Sequence, residues 1–155
     1  MDKIDRKILD LLQQDGQLSA AEVAERVNLT KAPCWRRIQR LHEGGIIRKT
    51  TALLDARALN VGTTVFVMIR TAKHNQTWFD RFVAATRYMP EITEIYRMSG
   101  EVDYLLRIQV PDIGAYDSVY KRLISAIDFR DVSAGFALET IKYTTALPLS
   151  YMKFD

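Results

Sequence analysis

The chain is poor in the residues that would make it a disulfide scaffold or a metal protein. Among 155 residues there is one cysteine, Cys34. A single thiol excludes an intramolecular disulfide and a cysteine-built zinc site. The two histidines, His42 and His74, have no ligand partners at metal-binding spacing, so no metal is expected. No apolar run approaches the roughly 18 residues that begin to suggest a bilayer span. An N-terminal apolar stretch with a cleavage site is also missing. The expectation is a cytoplasmic chain with no membrane partner. Low-complexity segments and internal repeats are absent.

What is present is a core's worth of apolar residues, 48% of the chain, which argues against disorder. The positive charge is unevenly placed. Residues 1–60 carry 11 Lys/Arg against 8 Asp/Glu, and residues 61–155 carry 11 of each. The whole excess of +3 therefore lies in the N-terminal part. It concentrates between Leu29 and Lys49, where Lys31, Arg36, Arg37, Arg40, Arg48 and Lys49 face one acid, Glu43. A field confined in this way favours a polyanion at one site. The competing reading is a solvated basic helix face.

Local signals decide between them. Asp2, with Asp5 in the capping-box position, starts a helix whose stripe is Ile4, Ile8, Leu11 and Leu12. Gly16 is expected to end it in a left-handed conformation. Ser19 and Glu22 form a second capping box, stapled by Leu18 and Val23. This second helix is short and ends near Val27 and Asn28. Thr30 is the next N-cap candidate, Pro33 is tolerated in the first turn, and Cys34, Ile38 and Leu41 face inward. Gly44-Gly45 stops the third helix. Two helices joined by so short a turn, behind a supporting first helix, make a helix-turn-helix.

That motif turns the basic stretch into an expected reader of double-stranded DNA. Thr30, Lys31 and Ala32 stand at the helix end that meets base edges. Arg36, Arg37 and Arg40 can reach either phosphates or guanine edges; the expectation places residues 30–36 at bases and Arg37 and Arg40 at phosphates. Trp35 has two open readings, packing against the first helix or on the DNA backbone. Residues 46–54 read as a β segment, in which Arg48 and Lys49 form a wing over phosphates or belong to a plain interdomain strand. Asp55 to Gly62 is polar and small, and is the expected hinge. Cys34 is assigned to core packing, because a buried free thiol behaves as a small hydrophobe.

The remainder alternates strand and helix signals. Strands are expected at Thr63–Arg70, Glu91–Met98, Val102–Val110 and Asp131–Tyr143, with helices at Thr77–Tyr88 and after Asp112. The order βαββαβ is the ferredoxin-like split βαβ unit, with two helices on one face of a four-stranded sheet. Phe66, Leu105, Phe136 and Leu138 are expected on the uncovered face, which a second copy would cover. The fold class is therefore α+β: an N-terminal winged helix-turn-helix plus a ferredoxin-like (RAM/ACT-like) domain. The boundaries are 1–50 for DNA binding, 51–62 for the linker strand and hinge, and 63–155 for the ferredoxin-like domain that a second copy would cover. An enzyme on this fold has no support from the residues. No nucleophile–base motif, phosphate loop or metal set is found. An architectural DNA-compacting protein remains a competing reading.

Three groups of residues together resemble the Lrp/AsnC, or feast/famine, family of regulators. They are the opening Asp2–Leu9, the Leu29–Leu41 helix with the Gly45–Ile47 break, and Ala52–Asp55. Ser99-Gly100-Glu101-Val102-Asp103-Tyr104-Leu105-Leu106 and Pro111-Asp112 followed by Tyr116 continue the match, which spans residues 1–150. The resemblance implies dimers paired through C-terminal domains, assembly to octamers, and an amino-acid effector bound where dimers meet, with no other cofactor. It implies an effector site at Ser99, Gly100, Glu101, Asp103 and Tyr104, where Gly100 offers backbone and Asp103 pairs an amino group. Ser133, Ala134 and Gly135 of a neighbour would complete it. Read from the residues alone, Gly100 makes the hairpin turn, Asp103 caps the loop and Tyr104 is core. Within the family, Thr30–Trp35 and Phe136–Thr145 most resemble cysteine-responsive activators of cysteine desulfidation genes.

Overall fold

A computed structural model describes residues 1–72 and 75–154, so His74 lies outside the described residues. The chain forms two compact units. One is Met1–Leu53 together with the C-terminal segment from Lys142, and the other is Leu54–Ile141.

In the first unit, helices α1 (Lys3–Gln14), α2 (Ala20–Arg26) and α3 (Lys31–Glu43) follow in order. Both expected capping boxes are present. Asp2 accepts from the N–H groups of Ile4 and Asp5, and Asp5 accepts from that of Asp2. Ser19 and Glu22 make the same exchange. Asn28 has φ 57 and forms the turn. Leu29 N–H donates to the Ala24 carbonyl at 2.8 Å and Asn28 N–H to that of Glu25 at 3.2 Å. This is a Schellman ending with Asn as the left-handed residue. Gly45, at φ 70, ends α3 in the same way, with Ile46 N–H on Leu41 and Gly45 N–H on His42. Ile8, Val23, Ala24, Val27, Cys34 and Leu41 form the buried core.

Expectations for this unit change at Gly16 and at residues 46–54, while Thr30 keeps its expected place. Gly16 is not left-handed; a Cβ there would lie 2.9 Å from the Thr50 methyl, so close approach is what the glycine serves. Thr30 is the N-cap of α3 by position but makes no side-chain cap bond. Residues 46–54 carry no strand. Their composition suits a strand, but among the described residues nothing pairs with them, and a lone strand leaves its ladder unmade. The domain boundary also moves, because the tail joins this unit and not the C-terminal one. Gln13 and Leu147 exchange two hydrogen bonds, Leu147 N–H to Oε1 at 2.9 Å and Nε2 to the Leu147 carbonyl at 3.2 Å. The Arg6 guanidinium lies over the Phe154 ring.

The second unit opens with a hydrogen-bonded turn within the segment Asp55 to Gly62. Asp55 Oδ1 accepts from the N–H groups of Arg57 and Ala58, and Val61 N–H returns to the Ala56 carbonyl. Then come β1 (Thr63–Arg70), α4 (Gln76–Thr86), β2 (Ile92–Arg97), β3 (Tyr104–Val110), α5 (Ile113–Ala126) and β4 (Asp131–Phe136). The sheet is antiparallel with order β2-β3-β1-β4, the arrangement expected for a ferredoxin-like unit. Val65, Val67, Ile69, Leu106, Ile108 and Val110 are buried with Trp78, Phe82, Val119 and Leu123 of the two helices. The last strand stops at Phe136, short of the expected Tyr143; after Ala137 N–H donates to Thr64, pairing ends.

The helix-free face is more mixed than expected. Phe66, Met68 and Leu105 share it with Arg107, as cross-strand neighbours. Tyr96 and Glu94 extend it, with Glu94 accepting from Arg107 at 2.8 Å and from Tyr96 at 2.7 Å. The Tyr96 hydroxyl, then the Arg107 guanidinium, hold the Glu94 carboxyl below the usual carboxylate range. Phe136 is not on this face. It pairs with buried Val65 and meets the Tyr116 ring of α5 edge-on at 5.3 Å. Leu138 lies beyond the sheet and is 98% exposed. Among the described residues no helix is long and apolar enough to cross a membrane.

Candidate nucleic-acid interface and effector region

The expected DNA-reading residues fall into three groups. Thr30, Lys31, Ala32, Trp35 and Arg36 are exposed along the first half of α3. Trp35 is 52% exposed, so a large aromatic surface stands beside the cations. Arg36 has no ion-pair partner among the described residues. Arg48 and Lys49 are exposed beyond the Gly45 break. Pro33 places its missing N–H in the first turn of α3, where no intrahelical partner exists.

Arg37 and Arg40 form the third group, and here the structure shows an engagement that sequence reading missed. Asp5 is fully buried. Its carboxylate accepts from Arg37 at 2.7 Å and from Arg40 at 3.0 and 2.9 Å. The same Arg37 nitrogen donates to Asp2 at 2.7 Å. The Arg37 side chain is 25% exposed and that of Arg40 61%. Arg37, assigned to a phosphate, is thus already held by two carboxylates, whereas Arg40 keeps most of its surface in water. The Asp5 backbone N–H, then the Arg37 guanidinium, hold the Asp2 carboxyl below its ordinary range. Arg37 is held more firmly protonated, by Asp2 first and Asp5 second. A hint lay in the sequence, since Asp5 sits on the inward stripe of α1 beside Ile8 and lacks a nearby cation of its own helix face.

Cys34 is wholly buried, and burial pushes its thiol up. His42 lies in the last turn of α3. Among the described residues no group of three His, Cys, Asp or Glu could hold a metal ion.

The residues assigned to an effector flank the C-terminal half of β1. On one side is the loop before β3. Gly100 has φ 107, a conformation suited to glycine. Asp103 is tied into this loop: Oδ2 accepts the Thr71 N–H at 2.8 Å, its carbonyl accepts from Met98, and its N–H donates to Ile69. Glu101 pairs with Arg70 at 3.0 Å, and Ser99 is exposed. Tyr104 is buried in an aromatic cluster with Phe82 at 4.8 Å and Trp78 at 5.4 Å. On the other side of β1 is β4. Ser133 and Gly135 pair with Met68 and Phe66 on the open face, while Ala134 pairs with buried Val67 on the helix face. The three do not share one surface, because successive strand residues point to opposite faces. A largely apolar groove of about 490 Å³ lies between α4 and β2, lined by Phe79, Phe82, Val83, Ile95 and two arginines, Arg87 and Arg97. Of the assigned effector residues it includes only Tyr104.

Comparison with known proteins matches each part of the chain to a family. Residues 1–48 match the model for a winged helix-turn-helix DNA-binding domain, and residues 64–147 that for the Lrp/AsnC ligand binding domain. The chain is 50% identical over 150 residues to the DNA-binding transcriptional activator DecR of Escherichia coli K12, covering 96% of this chain and 99% of that one. An AsnC family transcriptional regulator from Agrobacterium tumefaciens superposes with TM-score 0.95 at 56% identity, over 99% of this chain and all of the other. A transcriptional regulator from Neisseria meningitidis, solved in complex with L-Met, superposes with TM-score 0.93 at 36% identity, over 99% of each chain. A basic helix-turn-helix unit and a ferredoxin-like ligand-binding unit thus occur here in the order and spacing of those regulators, and the chain belongs to the Lrp/AsnC family of transcriptional regulators, not to an enzyme family.

Proposed function

We propose that this regulator reads DNA with the exposed first half of α3 and changes that binding when an amino acid occupies its C-terminal unit. The observation that carries the reading is the exposed row Lys31, Trp35 and Arg36 on the second helix of a helix-turn-helix. Thr30, Lys31, Ala32, Trp35 and Arg36 face base edges and the adjoining backbone, while Arg40, Arg48 and Lys49 take phosphates. The chain works in the cytoplasm, where it meets DNA.

The effector is an amino acid held at the Ser99–Tyr104 turn, with Ser133–Gly135 of a neighbouring copy closing the site. Support comes from the relative crystallised with L-Met and from the ligand-binding family match across residues 64–147. L-cysteine is the first compound to test, from the resemblance of Thr30–Trp35 and Phe136–Thr145 to cysteine-responsive activators. Self-association into dimers and then octamers is part of this reading. Phe66, Met68 and Leu105 give a partner sheet an apolar strip to cover.

Thermal-shift measurement with each of the twenty amino acids tests the effector assignment, since a ligand selective for the folded state raises its stability. One or a few amino acids should stabilise the chain, and the same compounds should alter its footprint on a duplex selected from a random pool. Twenty inert compounds, with a footprint that never changes, would favour an architectural protein instead.

A further inference from the structure

We propose that Asp2 and Asp5 form an internal acidic seat that withholds Arg37 from DNA and so limits sequence-independent binding. The proposal rests on the DNA-reading role of α3 and concerns which of its cations count. By formal charge the Leu29–Lys49 stretch holds six cations and one acid. Two further carboxylates, both from α1 and its cap, are bonded directly to it.

The geometry separates the arginines. Arg36 is exposed and carries no ion pair among the described residues. Arg40 shares one nitrogen, Nη2, with Asp5 and keeps 61% of its side chain accessible. Arg37 directs one nitrogen at both Asp2 and Asp5, at 2.7 Å each, and is mostly covered. Moving Arg37 to a phosphate would exchange one anion for another, and would strip a wholly buried carboxylate of its closest cation. Uncompensated buried charge is strongly unfavourable, so Arg37 stays with its acids when DNA binds.

Phosphate contacts supply nearly all non-specific affinity, and base contacts supply discrimination. Neutralising Arg37 internally lowers the first without touching residues 30–36. Asp5 is therefore a positioning residue that raises the ratio of specific to non-specific binding. Asp2 divides its two oxygens between the jobs. Oδ1 caps α1, and Oδ2 takes Arg37.

The test is the salt dependence of full-length protein binding to a random-sequence duplex pool. Each phosphate contact contributes about 0.9 to the slope of log K against log[salt]. Arg37→Gln should leave the wild-type slope unchanged. Asp5→Asn should steepen it by about one contact, roughly a further three- to fourfold loss between about 50 and 200 mM salt. The double variant Asp5→Asn/Arg37→Gln should return to the wild-type slope, which a general loss of folding would not produce. On the unmodified protein, arginine side-chain NMR should show the Arg36 and Arg40 resonances moving on addition of the duplex while those of Arg37 stay. A shallower slope in Arg37→Gln, or an Arg37 resonance that moves with that of Arg36, would overturn the proposal alone. A wild-type protein whose binding ignores salt would overturn the DNA reading beneath it.

Discussion

The carboxylate of Asp5 lies 2.7 Å from the guanidinium of Arg37, 32 residues further along the chain and on a different helix. The pair joins the supporting helix to the reading helix through a fully buried acid. Removing one partner of a buried ion pair typically costs about 3–5 kcal/mol. Asp5→Ala should fall near the lower end, about 3 kcal/mol, because Arg40 is already largely in water and can rehydrate. Urea unfolding followed by circular dichroism reads this. A loss below about 1 kcal/mol, the level of an exposed pair, would show that the buried pair contributes little.

Acid should weaken the same corner. The Asp5 N–H and the Arg37 guanidinium lower the Asp2 carboxyl in the folded protein. A depressed folded value means the stabilisation is complete above the unfolded value, about 3.9, and is lost as pH falls through the folded one. Wild type should therefore exceed Asp2→Asn in stability at neutral pH and converge on it below about pH 4. Unfolding midpoints taken at pH 7, 5, 4 and 3 test the sign. A gap that is constant with pH would assign the difference to something other than this carboxylate.

The caps of α2 and α3 make a contrasting pair. Ser19 accepts the Glu22 N–H and is half of a complete capping box. Thr30 occupies the corresponding position of α3 without a side-chain bond. Ser19→Ala should cost about 1 kcal/mol and Thr30→Ala a few tenths in the free protein. Thr30→Ala should nonetheless weaken binding to a selected duplex, since that side chain is assigned to DNA. Equal stability losses in the two variants would contradict the capping difference.

Cys34 should behave as packing and not as a sensor. It is completely buried and its thiol is pushed up by burial, so thiolate reactivity is suppressed. Alkylation of the folded protein should be slow. Cys34→Ala should cost about 1 kcal/mol, the centre of the usual range for point substitutions, and leave any amino-acid response intact. Loss of a cysteine response alone in that variant would make the thiol part of the sensing.

Sequence made local decisions legible and left long-range ones hidden. Both capping boxes and the Gly44-Gly45 stop depend on residues within four positions of each other, and each formed where its pattern lay. The Asp5–Arg37 pair spans 32 positions, and the Gln13–Leu147 exchange, which brings the tail into the first unit, spans 134. No local signal encodes such separations. Propensity misled at residues 46–54, because a strand needs a neighbour as well as β-branched residues. Strand phase misplaced Phe136, since a shift of one residue moves a side chain to the opposite face. The same alternation splits Ser133, Ala134 and Gly135, which a motif read as a continuous segment.

DNA binding by the exposed first half of α3 underlies every role proposed above for the first unit. The most direct measurement is the binding of wild type, Lys31→Gln and Arg36→Gln to a duplex selected from a random pool, across a range of salt. Each variant should remain folded, bind more weakly, and lose up to about 0.9 from the slope if its cation meets a phosphate, or lose discrimination between selected and random duplex if it meets a base. Affinity, slope and discrimination that match wild type in both variants would show that this half of α3 does not meet DNA.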